Sequence, residues 1–185
     1  AHLESLILHE TIVGMELFPG HDPFYPTDSL LDPVYALCEA HQMPMMIHTG
    51  WNTGHPEVAQ FNDPKYIVEI AQRYPALPIV IAHYFWPEVD YCYELTHDYP
   101  SISYDTSGLA DDGLVDATGE VAIRGVLLKT LERDSRGIIF GTDYARCDLQ
   151  KHIDLVHSLP VSHAIAEGVF WRNAVSLFSP PVGGG

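Results

Sequence analysis

The stretch Met43-Pro44-Met45-Met46-Ile47-His48-Thr49-Gly50 decides how this chain reads. A short apolar run passes directly into a histidine and then into a Thr-Gly turn. A brief, near-continuous apolar run closed by turn formers is the mark of a strand buried on both faces. Working outward, the same unit returns on either side. Ile12-Val13-Gly14-Met15-Glu16-Leu17-Phe18 is stopped by Pro19-Gly20, and Leu77 to Ala82 runs into His83. Ile102 to Asp105 precedes Ser107-Gly108, and Gly137 to Gly141 precedes Thr142-Asp143.

Helical spacing fills the gaps. From Ser29 to Gln42, Leu30, Val34, Leu37 and Cys38 share one face, with Pro33 in the first turn, where a missing N–H costs least. Further helices are expected over Pro64–Tyr74, with Asp63 as N-cap, and over Glu88–Asp98, Glu120–Arg133, Leu149–Ser158 and Ala164–Phe178. Residues 1–10 read as a helix end, and Pro180-Pro181 with three glycines as a tail. Strand starts near residues 12, 44, 78, 101 and 137 recur about every 31 residues, the unit length of a (β/α)₈ barrel of ~250 residues. A doubly wound open sheet shares this alternation, but neither GxGxxG nor GxxxxGK[ST] is present to favour one.

Composition narrows the function classes. The 185 residues fit one domain spanning 1–185, and 46% hydrophobic content supports a folded core. A net charge of −16 argues against nucleic acid and anionic membrane surfaces, which call for a basic face. No apolar run is long enough to span a membrane, and no leader is visible. Three widely spaced cysteines form no CxxC pair, which disfavours a disulfide framework and suits a reducing cytoplasm.

In a parallel α/β fold the site lies at the carboxyl ends of the strands. Three of the five expected strands end there in a metal-ligating residue type: His48, His83 and Asp143. A lone strand-end histidine is commonly a hydrogen-bonded structural residue, and an Asp after Gly-Thr is commonly a turn former. Three such residues on one rim are harder to explain as packing, and they suit zinc or a similar divalent ion. Such an ion lowers the pKa of bound water toward ~7, and a neighbouring carboxylate can take the proton. Glu16 points into the barrel mouth or pairs with a buried cation. Trp51, Tyr84 and Arg146 follow strand ends and are candidates for touching substrate, Arg146 through a carboxylate; His21 and His55 lie in rim loops where surface or packing roles compete. Cys147 is near the rim but has no assigned base.

Taken in order, Gly14 to Pro19, Pro44 to Gly50, Ile81-Ala82-His83, Gly141 to Tyr144 and Asn173 to Phe178 resemble the later part of the amidohydrolase-related metal-dependent hydrolases, the TIM-barrel group that also contains zinc decarboxylases. The resemblance implies that the five strands are the fourth to the eighth of the barrel. It makes His48 a metal ligand, His83 a metal ligand or polariser of substrate and water, and Asp143 a metal contact that handles the water proton. It implies a metal-activated water attacking an amide, ester or lactone-like small molecule. Decarboxylation of a small carboxylic acid, or an inactive barrel fragment kept as a binding module, are the alternatives.

Two departures stand out: no HxH occurs anywhere, and Glu16 stands where the family often has Lys. The first three β/α units of a whole barrel would then be missing. An open five-strand sheet of this kind is expected to keep two unpaired edges, and so to pair with another copy, rearrange or need the absent half.

Overall fold

The computed structural model describes residues 4–5, 9, 12–51 and 55–179. The helix end read over 1–10 lies almost wholly outside the described residues, and the closing Pro-Pro and glycine tail lies outside them. The strands are β1 (Met15–Leu17), β2 (Met45–Ile47), β3 (Ile79–Ile81), β4 (Ile102–Asp105) and β5 (Ile138–Ile139). They form one parallel sheet in the order β1-β2-β3-β4-β5. Each strand therefore pairs with its successor in sequence. A doubly wound sheet reverses its order at a switch point, and none occurs here; the sheet is a partial barrel.

The helices are α1 (Asp32–Ala40), α2 (Pro64–Arg73), α3 (Val89–Thr96), α4 (Asp112–Thr118), α5 (Glu120–Arg133), α6 (Leu149–His157), α7 (His163–Glu167) and α8 (Asn173–Phe178). A single wide turn, Gly168–Arg172, joins α7 to α8, so the expected closing helix is present with a π-type interruption. Asp63 caps α2 as expected, accepting the Lys65 N–H at 2.9 Å. Asp148 caps α6 through the Gln150 and Lys151 N–H groups at 2.7 and 3.1 Å. Helix α4 and the short 3-10 segment Pro56–Phe61 were not expected; Asp111 caps α4 by accepting the Gly113 N–H at 3.0 Å.

Register sorts the strand residues onto two faces. Met45, Ile47, Ile79, Ile81, Ile102, Tyr104 and Ile138 form the face covered by helices, each at most 1% exposed. Full burial of such side chains contributes roughly 1.5–3 kcal/mol each. The opposite face carries Glu16, Met46, Val80, Ser103 and Asp105 in one layered set, with Glu16 exposed and Asp105 buried. Charge thus enters the sheet only on the inner face, toward the carboxyl ends.

The edge strands β1 and β5 are not hydrogen-bonded to each other, but the closing helical segment links their neighbourhoods. The Asn173 side chain donates to the carbonyls of Ile138 and Ser135 at 2.8 and 3.1 Å, and the Phe140 N–H donates to Val169 at 2.9 Å. At the other end a Cβ on Gly14 would stand 2.9 Å from Phe178 Cε1, so the absence of a side chain there lets the last turn of α8 close onto the β1 edge.

Candidate functional site

His48, His83 and Asp143 line one cavity of about 380 Å³ at the carboxyl ends of the strands. Phe18, His21, Trp51, Trp86, Asp111, Arg146 and Cys147 share its wall. His48 follows β2 directly, is buried, and sets its ring 5.0 Å from that of His83 and 4.7 Å from that of His21, centre to centre. Phe18 stacks on His48 at 5.9 Å.

The turn after β3 is unusual. His83, Tyr84 and Phe85 all take left-handed backbone angles, with φ of 66°, 51° and 55°. Each such non-glycine residue costs about 1–2 kcal/mol, so the turn has to be held from outside. Two buried side chains do this. Thr49, next to His48, donates its hydroxyl to the Ala82 carbonyl and accepts the Phe85 N–H at 2.9 Å. Asp105, at the end of β4, accepts the His83 N–H at 3.0 Å.

Asp105 also accepts the Ser107 N–H at 3.2 Å and the Ser107 hydroxyl at 2.7 Å. The Ser107 carbonyl and hydroxyl oxygens in turn lie 3.0 and 2.8 Å from His83 Nδ1. Since the hydroxyl proton goes to Asp105, Nδ1 is the protonated nitrogen of His83 and Nε2 carries the lone pair. Gly141 makes room for this chain of contacts: a Cβ there would stand 2.9 Å from Asp105 Oδ2. Asp143 is exposed and also left-handed, with φ of 56°; its carbonyl accepts the Arg146 N–H at 2.8 Å, which folds Arg146 back toward the cavity.

Asn62 joins the loops after β1 and β2. It is 1% exposed and donates to the Pro19 and Gly50 carbonyls at 3.2 and 3.1 Å, while accepting the Gly50 N–H at 3.2 Å. Gly20, with φ of 93°, packs beside it; a Cβ would come within 3.1 Å of the Asn62 amide.

The expected residues thus divide. His48, His83, Asp143, Trp51 and Arg146 come together on one cavity. Glu16 does not line it. It lies one register layer below the rim, where burial first, and then the charges of Asp105 and Asp143, push its carboxyl above the ordinary range, with His83 opposing. Tyr84 is a correction. It is wholly buried on the helix side, stacked on Tyr104 at 4.4 Å and hydrogen-bonded to Thr130 at 3.1 Å, so it does not touch a ligand in the cavity. Burial pushes the Cys147 thiol up, which holds it as a poor nucleophile. His55 is exposed beside Glu57, 3.1 Å away. Sequence reasoning missed Asn62, Thr49 and Ser107 as positioning residues.

Among the described residues no group of three or more His, Cys, Asp or Glu side chains stands gathered as a ready-made metal cage. The spacing of the imidazole pair is compatible with two ligands of one ion. Two imidazoles bound to one ion at about 2.1 Å have ring centres about 5 Å apart. His48 and His83 show 5.0 Å, with Asp143 on the same wall.

A model of the amidohydrolase family matches residues 2–179. The chain belongs to the amidohydrolase family. No curated protein matches it. Among solved structures, this amidohydrolase-family chain is similar to an uncharacterised TIM-barrel protein from Bordetella bronchiseptica, at 25% identity and a TM-score of 0.75 over 94% of this chain and 59% of that one. A dihydroxybenzoic acid decarboxylase from a Polaromonas species, solved with bound manganese and the inhibitor 2-nitroresorcinol, matches at 17% identity and 0.64 over 96% and 64%. A proposed 2-pyrone-4,6-dicarboxylic acid hydrolase from Pseudomonas putida matches at 16% identity and 0.64 over 89% and 62%. The chain spans 59–64% of the length of these three structures. No described helix is long and apolar enough to cross a membrane.

Proposed function

We propose that the cavity is the centre of a metal-dependent hydrolase acting on a small, planar, carboxylate-bearing ester or lactone. The observation that carries this reading is the company kept by His48, His83 and Asp143: Arg146 and the rings of Phe18, Trp51 and Trp86 line the same space. His48, His83 and Asp143 are the residues that would hold a divalent ion, zinc or one like it. When bound, such an ion supplies Lewis acidity and lowers the pKa of water toward neutrality.

The chain's own groups do the rest. Arg146 takes a substrate carboxylate through its planar fork. The tryptophan rings flank a flat substrate. His83, held in one tautomer by Ser107, keeps its Nε2 lone pair on offer. Asp143 takes the proton as the water oxygen bonds to the carbonyl carbon, then returns it to the leaving oxygen when the ester bond breaks. General acid–base help of this kind is worth ~10²–10⁴-fold. Asp143 is exposed, so water reaches it.

Decarboxylation is the second reading, supported by the likeness to the decarboxylase structure. There the same carboxyl would deliver its proton to the carbon that carbon dioxide leaves.

The test is to incubate the zinc- or manganese-loaded chain with a panel of aryl esters, carboxylated lactones and hydroxybenzoic acids, scoring ring opening and carbon dioxide release separately. Hydrolysis of carboxylated substrates that is lost in Asp143→Asn and weakened in KM by Arg146→Ala is expected. Carbon dioxide release without hydrolysis selects the second reading, and inertness toward the whole panel refutes both.

A further inference from the structure

We propose that the cavity between α4, α5 and α6 is a second ligand site, built for a small aromatic amine, and that filling it is felt at His83. No metal enters this inference, so it stands apart from the reading above.

The space measures about 360 Å³, within the range of small-molecule pockets. Leu109 and Ala110 from the loop after β4, Val115 from α4, Ile123 from α5 and Leu155 from α6 give it an aliphatic lining. Its charged residues are Glu120, Lys151 and Asp154. Two of these are already matched. Lys151 Nζ lies 2.5 Å from Asp112, and Glu120 lies 3.7 Å from Arg124. The Asp154 carboxylate accepts the neutral Gln150 amide at 2.9 Å and has no ion pair among the described residues. An apolar body with one positive head matches such a lining. The body displaces water from the aliphatic side chains, and the ammonium answers Asp154. A net charge of −16 draws cations to the chain in any case.

The reach to the first site comes through a shared wall. Gly108, Asp111 and Leu114 line the cavity of His48 and His83, while Leu109, Ala110 and Val115 line the second one. The segment carrying all six begins against His83. The Ser107 carbonyl and hydroxyl oxygens lie 3.0 and 2.8 Å from Nδ1, and a Cβ on Gly108 would stand 3.5 Å from the same nitrogen. Glycines in the left-handed region bound it, Gly108 with φ of 76° and Gly119 with φ of 91°. Two ties join it to α6. The Ala110 N–H donates to Nε2 of the buried His152 at 3.4 Å, long for a hydrogen bond, and the exposed Lys151–Asp112 pair is the other. A ligand wedged between Val115 and Leu155 presses on this wall and shifts Ser107 and Gly108 against the His83 ring.

The test titrates the full metal-free chain with benzylamine hydrochloride, and with benzyl alcohol as the uncharged probe of the same shape. Affinity is read by calorimetry, and the histidine rings by long-range proton–nitrogen spectra. Asp154→Asn and Val115→Trp are titrated alongside, with circular dichroism to verify folding. Saturable binding of benzylamine is expected, stronger than that of benzyl alcohol, with the His83 ring-nitrogen signals moving along the same isotherm. Asp154→Asn should weaken benzylamine about two- to fivefold, the worth of an ion pair at an exposed rim, and leave benzyl alcohol unchanged. Val115→Trp fills the space and should abolish both the binding and the movement at His83.

Val115 does not line the first cavity, so binding that survives in Val115→Trp puts the amine elsewhere and overturns the inference. If that variant does not fold, Asp154→Asn decides, and an unchanged benzylamine affinity overturns it. Benzyl alcohol binding as well as benzylamine overturns the ligand class. His83 signals that stay still at saturation overturn the link between the sites, and a chain that binds no benzylamine overturns the whole.

Discussion

Replacing Asn62 by alanine tests whether one buried amide holds the two loops of the site together. The side chain makes three hydrogen bonds, two to carbonyls and one from the Gly50 N–H, at 3.1–3.2 Å, and is 1% exposed. Each is worth about 1 kcal/mol net, so the loss is about 3 kcal/mol before any penalty for leaving the Gly50 N–H buried and unmet. For a chain of this size that lowers Tm by roughly 6–12 °C. Asn62→Asp should do no better, because it keeps the acceptor but turns a carboxylate oxygen toward the Pro19 and Gly50 carbonyls. Thermal and urea unfolding, followed by circular dichroism, supply the comparison. The ring contact between His21 and His48 should weaken in parallel in nuclear Overhauser spectra of the folded variant. A loss below about 1 kcal/mol in Asn62→Ala, or an intact ring contact, would refute the view that this amide positions the site.

Glu16→Gln should raise Tm of the metal-free chain at pH 7 and leave it unchanged near pH 3. The folded carboxyl titrates above its ordinary 4.5, so the native state binds the extra proton; stability is fully present below the unfolded value and falls as pH rises through the folded one. Because Glu16 is exposed and water screens it, the gain is under about 1 kcal/mol; a lower Tm at pH 7 would contradict it. Ser107→Ala should cost about 1 kcal/mol and leave the Ser107 carbonyl as the one remaining acceptor from His83 Nδ1. Long-range proton–nitrogen correlation spectra should then show a smaller Nδ1-protonated fraction at His83, and an unchanged fraction would remove Ser107 from that role.

The strand ends were legible because an apolar run stopping at a histidine is a local signal. β4 and α5 match the expected bounds, and His48 and His83 fall on one cavity. The strands themselves are shorter than the apolar runs. At Ile12–Phe18 only Met15–Leu17 pairs, with β2 as the one described neighbour.

Tyr84 was misread because its position, one residue past a rim histidine, suggests a rim side chain. The left-handed turn at His83–Phe85 sends it to the helix side instead, and no local pattern announces three such residues in a row. Asn62, Thr49 and Ser107 escaped notice for another reason. Their partners stand 12 to 43 residues away in sequence for Asn62, 33 and 36 for Thr49, and 24 for the link from Ser107 to His83. A hydroxyl or amide whose purpose is long-range has no periodicity to betray it. Helix α4 carried its own signal, a capping Asp111, but Gly113 and two further aspartates, Asp112 and Asp116, hid its helical character.

The fit of Phe178 against Gly14 has a consequence for how the molecule opens. β1 is three residues long and holds one strand partner among the described residues, so by itself it would fray first. The segment that buttresses it is the last turn of α8, a helix whose first residue, Asn173, is fastened to β5. Detaching the whole of α8 therefore uncovers both borders of the sheet together. β1 and α8, far apart in sequence, are therefore expected to open together, with matched hydrogen-exchange protection. The strand that carries Glu16 is then held in place by a helix more than 150 residues further along the sequence.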